Sequence, residues 1–156
     1  MKQDRFLIWI LIGIAILIVL ALGLFFARQG QQDYRTGNSP EDVVFNYVLA
    51  VTNKDYQKAY GYLADLDNKP TYEKFRQSFF NGMVSPSGVG VDVGSAEIGG
   101  DMATVEMSLI YSPEDPFSSG YRNTDHAQLV LQNGQWKINS MPYNFWNYNW
   151  YQTPQP

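Results

Sequence analysis

Few side chains in this sequence have both the type and the spacing that chemistry requires. Asp65 and Asp67 alternate with Lys69 close behind, a spacing that resembles the start of a calcium loop, where hard carboxylate oxygens surround a hard cation. The stretch lacks the glycine at the sixth position, and Arg76 stands where a bidentate Glu is needed, so it reads as a solvated loop and no metal site is expected. His126 is the single histidine and Asp125 precedes it, but neighbours on a strand point to opposite faces and cannot act as a pair. The absence of cysteine excludes disulfides, thiolate nucleophiles and cysteine-bound zinc. Tyr47 and Tyr60 carry hydroxyl donors, yet both fall in apolar stripes at helical spacing, where such rings form core with one wet edge. No cofactor is expected.

The element that must position everything else is the uncharged run from Phe6 to Ala27. As a helix it is about 33 Å long against a bilayer core of about 30 Å, and a helix satisfies its own peptide groups in lipid. A cleavable leader would have a shorter apolar core. The best small-x-small match, Val19-Leu20-Ala21, lies inside the run, and the cysteine of a lipoprotein is missing. Residues 6–27 are therefore expected to be a transmembrane helix in contact with the lipid bilayer. Lys2 and Arg5 precede it and Arg28 and Arg35 follow, so the positive-inside bias is small. A short basic tail, residues 1–5, is a poor segment to translocate. The expected placement is a single-pass protein of the cell membrane with a cytoplasmic N-terminus and an extracytoplasmic domain.

Beyond residue 27, nine Lys and Arg stand against fourteen Asp and Glu. An acidic domain without basic clusters argues against nucleic acid or anionic lipid as partner. Residues 28–38, polar with two glycines, read as a flexible linker that cannot bury enough surface to order itself. Ser39, Pro40 and two acids then announce a helix carrying Val43, Val44, Tyr47, Val48 and Val51 on one side. Asp55 restarts a shorter helix with Tyr56, Ala59, Tyr60 and Leu63, and Thr71 caps a third with Tyr72, Phe75 and Phe79.

From Gly88 the period becomes two. Val89, Val91 and Val93 alternate, then Ala96 and Ile98 take over the inward parity, so a bulge is expected at Gly94-Ser95. The next strand turns Ala103, Val105, Met107, Leu109 and Tyr111 inward. Ser112-Pro113-Glu114-Asp115 repeats the first helix start, but Pro116 follows and limits it to a loop. Asn133-Gly134 predicts a two-residue hairpin pairing Leu131 with Trp136, Leu129 with Ile138 and Ala127 with Ser140, with His126, Gln128, Val130, Lys137, Asn139 and Met141 on the other face. The whole is α+β: three N-terminal helices packed on a curved antiparallel sheet of about four strands.

The segments SPEDVVFNYVLAVTNKDYQKAYGYLAD and HAQLVLQNGQWKINSM resemble the nuclear transport factor 2-like superfamily, the cone-shaped fold, and in particular its bacterial membrane- or surface-tethered members of unknown function. The resemblance covers residues 39–142. It implies a cone whose relatives include isomerases, dehydratases, ligand carriers and catalytically silent interaction modules. Three functions follow as expectations. The favoured one is a non-catalytic domain that binds a protein or cell-envelope partner on the outer side of the cytoplasmic membrane. The second is a pocket for a small apolar ligand walled by Tyr47, Phe79, Met107, Leu129 and Trp136, residues that a closed core would equally use. The third is an isomerase- or dehydratase-like enzyme, for which the resemblance implies an inward Asp as general base with a Tyr or His nearby. Asp92 reads as the only strand acid able to point inward, with Tyr47 or Tyr60 as donor. The bulge, however, faces the three valines inward and Asp92 outward, cheaper by several kcal/mol than the reverse.

Residues 143–156 form a tail with six aromatics between Tyr143 and Tyr151. Its pattern fits a strand or a helical turn. It could extend the last strand, close the wide end of the cone or enter the membrane interface, and packing on its own domain is the expected outcome.

Overall fold

The computed structural model describes residues 2–28, 32–112 and 120–152. The chain forms two compact units, Met1–Asp33 and Tyr34–Pro156. The first contains helix α1, Lys2–Arg28, whose segment Leu7–Leu24 is long and apolar enough to cross a membrane and has none of its side chains buried.

The second unit is α+β. Helix α2 (Pro40–Thr52) starts where Ser39 accepts a hydrogen bond from the Asp42 amide, α3 (Tyr56–Gly61) where Asp55 accepts from Lys58, and α4 (Tyr72–Phe80) where Thr71 accepts from Lys74. Four strands, β1 (Val89–Gly99), β2 (Met102–Tyr111), β3 (Tyr121–Gln132) and β4 (Gln135–Ser140), make an open antiparallel sheet in sequential order. The inward side chains Ala103, Val105, Met107, Leu109, Ala127, Leu129 and Ile138 meet Val43, Val44, Tyr47, Ala50 and Val51 of α2 in one core. The outer edge of β4 is not left open, since the Ile138 amide donates to Tyr62 and the Ala64 amide donates to Ile138.

The register shift in β1 falls between Val93 and Ala96, as the parity slip predicts. Gly94 suits this position because a Cβ would meet the Glu106 carbonyl oxygen at 3.2 Å, a tight approach. The bulge releases the Ala96 amide from the ladder, and it donates 2.9 Å to the Glu41 carboxylate of α2. That carboxyl is held below the usual range, first by its own backbone amide, then by the Ser39 hydroxyl and Ala96, which together outweigh partial burial. A carboxyl with a depressed folded pKa stabilises above its unfolded pKa of about 4.3 and loses that contribution as pH falls through the folded value. Glu41→Gln is therefore expected to lower the melting temperature at pH 7 and to narrow the gap between melts at pH 7 and pH 3. Equal pH dependence in variant and wild type would remove Glu41 from this role.

Three expectations need correction. Ser140 pairs with Gln128 rather than Ala127, because the register shifts between Gln128 and Leu129. Asn139 is the extra residue, and the shift turns Met141, expected on the opposite face, into the core at 2% exposure. Ile98 keeps the inward parity but lies 60% exposed near the strand end, beside Gly99. The stretch expected to be a linker docks from Tyr34 onward: the Arg35 amide and carbonyl both pair with the Asn46 side chain, and Asn38 donates to the Gly134 carbonyl. The expected loop at Pro113, Glu114, Asp115 and Pro116 lies outside the described residues.

Candidate functional site

A groove of about 1050 Å³ runs between the end of α2, the start of α3, one side of α4 and the segment from Gly82 to Gly90. Its position follows from the short connection Asn53-Lys54-Asp55. Lys54 takes a left-handed backbone (φ 61°) and the Asp55 amide returns to the Ala50 carbonyl, so α3 leaves α2 abruptly. The groove floor is aromatic. Tyr56 stacks on Phe79 with centroids 4.7 Å apart and meets the edge of Phe80 at 5.8 Å. Phe80 is 70% exposed, and the Arg76 guanidinium lies 5.6 Å from its ring. Arg76 also reaches Glu73 at 3.3 Å, a surface pair of little energetic weight. Lys54 adds a second positive charge to the rim and Asp55 one negative charge.

The side chains proposed from sequence for chemistry are dispersed. Asp92 lies on the outer face of the sheet, mostly exposed, with Arg122 at 3.9 Å across the ladder. Tyr47 is fully enclosed in the core, and its hydroxyl donates 2.8 Å to the Phe145 carbonyl. Burial pushes its pKa well up, so the hydroxyl stays protonated. Tyr60 donates 2.8 Å to the Pro70 carbonyl. Asp65 is engaged by Lys69 at 2.7 Å, which holds its carboxyl below the usual range. Of the five residues named as a pocket wall, Tyr47, Met107 and Leu129 are closed in the core, Trp136 packs half-buried against it, and Phe79 lines the groove.

Sequence reading missed Asp125. It shares parity with Ala127 and Leu129 and stands opposite the inward Met107, so Asp92 was not the strand acid with access to that side. Extending the alternation of β3 two residues back from Ala127 would have found it. The Asp125 carboxylate accepts the His126 amide at 2.8 Å. Nearby, Tyr111 stacks on Tyr121 at 4.4 Å and donates 2.8 Å to Asn144. Burial, the Tyr143 hydroxyl, Tyr121 and the Asp125 charge all raise the Tyr111 pKa, which favours its neutral form.

The described part of the C-terminal segment, residues 143–152, takes neither regular form. It makes two turns, and Phe145, Trp146 and Trp150 enter the core against Tyr47 and Phe75. Trp150 lies 4.8 Å from Phe75 and 5.0 Å from Trp146, while the Tyr151 hydroxyl donates to the Ala64 carbonyl at 2.6 Å. The space above the sheet that a ligand would need is thus partly filled by the chain's own aromatic rings.

No family model and no curated protein matches the chain. Among solved structures it is similar to a SEC-C motif containing protein from Rhodopseudomonas palustris, at 17% identity and TM-score 0.48, covering 76% of this chain and 84% of that one. A protein of Campylobacter jejuni described as a nuclear transport factor 2-like transpeptidase is similar at 14% identity and TM-score 0.42, covering 64% and 96%. An uncharacterised cystatin fold protein from Novosphingobium aromaticivorans is similar at 11% identity and TM-score 0.43, covering 65% and 97%. Likenesses this distant concern the backbone, and no activity is transferred from them.

Proposed function

We propose that this chain is held in the cell membrane by α1 with its N-terminus in the cytoplasm. Its domain outside then serves as a non-catalytic binding module of the cone-fold kind. Its binding surface is the aromatic groove of α3 and α4, and the occupant is an extended segment of a protein partner bearing an apolar or aromatic side chain next to a carboxylate. The observation that carries this reading is the Phe80 ring, 70% exposed beside Tyr56 and Phe79, with Arg76 and Lys54 supplying positive charge in an otherwise acidic chain. Exposed rings beside an arginine are the residue types that dominate interface energetics. The dispersal of Asp92, Tyr47 and Tyr60 supports binding over catalysis, and the enclosure of Tyr47, Met107 and Leu129 supports a surface partner over a small apolar ligand.

The test is a photo-crosslinking residue placed at Phe80 in cells, with sequencing of the crosslinked peptide. The expected product is one recurrent peptide carrying an apolar residue beside Asp or Glu, lost when Arg76 is changed to Glu. Capture of lipid alone, or of a peptide unaffected by Arg76→Glu, would overturn the proposal. With the captured peptide in hand, Phe80→Ala is expected to weaken binding by about 2 kcal/mol, roughly thirty-fold.

A further inference from the structure

A second, smaller cleft of about 450 Å³ lies between α4, the turn before it and the C-terminal segment, and its chemistry differs from that of the groove. Carboxamides dominate the lining: Asn68, Gln77, Asn81, Asn147, Asn149 and Gln152. Each carboxamide offers donors and an acceptor in one plane, the arrangement that pairs with adjacent hydroxyls or an acetamido group. Among the described residues no carboxylate lines this cleft, which argues against a metal cation. Lys69 is occupied by Asp65 at 2.7 Å and by the Leu63 carbonyl at 3.2 Å, leaving Lys74 as the one ammonium on the wall without an ion pair among the described residues. A single cation argues against a polyanion. Among the described residues the apolar lining is Pro70, Met83 and Trp150, too little for a lipid chain.

The floor is rigid. Buried Ser78 receives hydrogen bonds from Asn147 at 3.1 Å and from the Trp150 indole at 3.2 Å, and donates to the Lys74 carbonyl at 3.0 Å. The Asn149 amide closes on the Asn147 side-chain oxygen at 2.9 Å. Above this fixed network, the side-chain amides of Asn68, Gln77 and Asn149 are exposed and make no hydrogen bond among the described residues. Fixed backbone beneath uncommitted planar polar groups lowers the ordering cost of binding a polar ligand. We propose that this cleft is a saccharide-binding site, with the carboxamides reading hydroxyl and acetamido groups and Met83 and Trp150 offering apolar contact to the sugar C–H faces. The site is separate from the aromatic groove, so either assignment can fail alone.

The experiment titrates tri-N-acetylchitotriose into the isotopically labelled full chain in lipid nanodiscs, since glycoside detergents would compete. Saturable shifts of the Asn68, Gln77 and Asn149 side-chain amide signals are expected, with a Kd on the order of 1 mM. Gln77→Ala, on the exposed surface of α4, is expected to weaken binding about tenfold at unchanged melting temperature, the loss of one or two hydrogen bonds. Asn149→Ala is expected to do the same. No saturable shift, shifts confined to other surfaces, or full affinity in Gln77→Ala would overturn the proposal. Equal binding of an acetylated trialanine would overturn it in favour of a peptide.

Discussion

Removal of residues 143–156 is expected to abolish the cooperative melting transition of the domain. Phe145, Trp146 and Trp150 are 0%, 3% and 5% exposed. Truncating one buried Phe or Trp costs about 3–5 kcal/mol, against a total stability of about 5–15 kcal/mol for a domain. Losing three exhausts that margin before polar groups are counted. Polar losses then add to it. Without the Phe145 carbonyl the enclosed Tyr47 hydroxyl has no acceptor, and without Asn147 and Trp150 the Ser78 hydroxyl loses both donors. The full chain and the truncated chain, each followed by near-ultraviolet circular dichroism on heating, test this. Trp150→Ala alone is the graded version, expected to lower the melting temperature by roughly 10–20 °C. If the truncated chain melts as the full chain does and only binding to liposomes or a partner disappears, the tail is a recognition element and its packing is dispensable.

What could be read from sequence was what short-range chemistry decides. Ser39, Asp55 and Thr71 mark helix starts because an oxygen two or three bonds from the backbone reaches the amide three residues on. Asn133 and Gly134 mark the hairpin because both take positive φ, 51° and 75°. The bulge in β1 was legible as a slip of apolar parity. The same signal lay unused in β4, where Trp136 and Ile138 keep one parity and Met141 the other. Burial was less legible than parity, because it depends on what lies above a strand, as Ile98 shows. Docking of Arg35 on Asn46 and of Asn38 on Gly134 joins residues far apart in sequence and leaves no mark in local composition. The tail follows neither helical nor strand period because turns place its rings one by one. Asp125 was read only as the neighbour of His126, although its alternation with Ala127 and Leu129 places it on the inward parity. The groove was not legible for another reason: Tyr56 and Phe79 read as parts of two apolar helix stripes, and Phe80, outside both, gains its exposure from where α4 ends.

Carbonate-washed membranes are expected to retain the full chain, and deletion of residues 2–28 is expected to move it entirely to the supernatant. The thirteen Leu, Ile and Val between Leu7 and Leu24 favour insertion by roughly 0.3–0.6 kcal/mol each, about 4–8 kcal/mol together. The side chains of this segment are all unburied, and on the proposed reading the bilayer core covers them. A charge at the helix centre costs about 2.5–3.5 kcal/mol. Leu17→Arg alone is therefore expected to remain in the pellet, whereas Ile14→Arg with Leu17→Arg cancels the insertion energy and releases the protein. That graded response separates a lipid-embedded helix from one retained by a protein neighbour, for which the position of the charge around the helix, and not the number of charges, would decide. The intact mass of the membrane-bound chain addresses the signal-sequence alternative: a mature species beginning after residue 20 would end the anchor reading. In intact cells stripped of other barriers, added protease is expected to digest the domain from Tyr34 onward and to spare α1. Protection of the domain would place it in the cytoplasm, reverse the orientation, and leave the groove facing cytoplasmic partners.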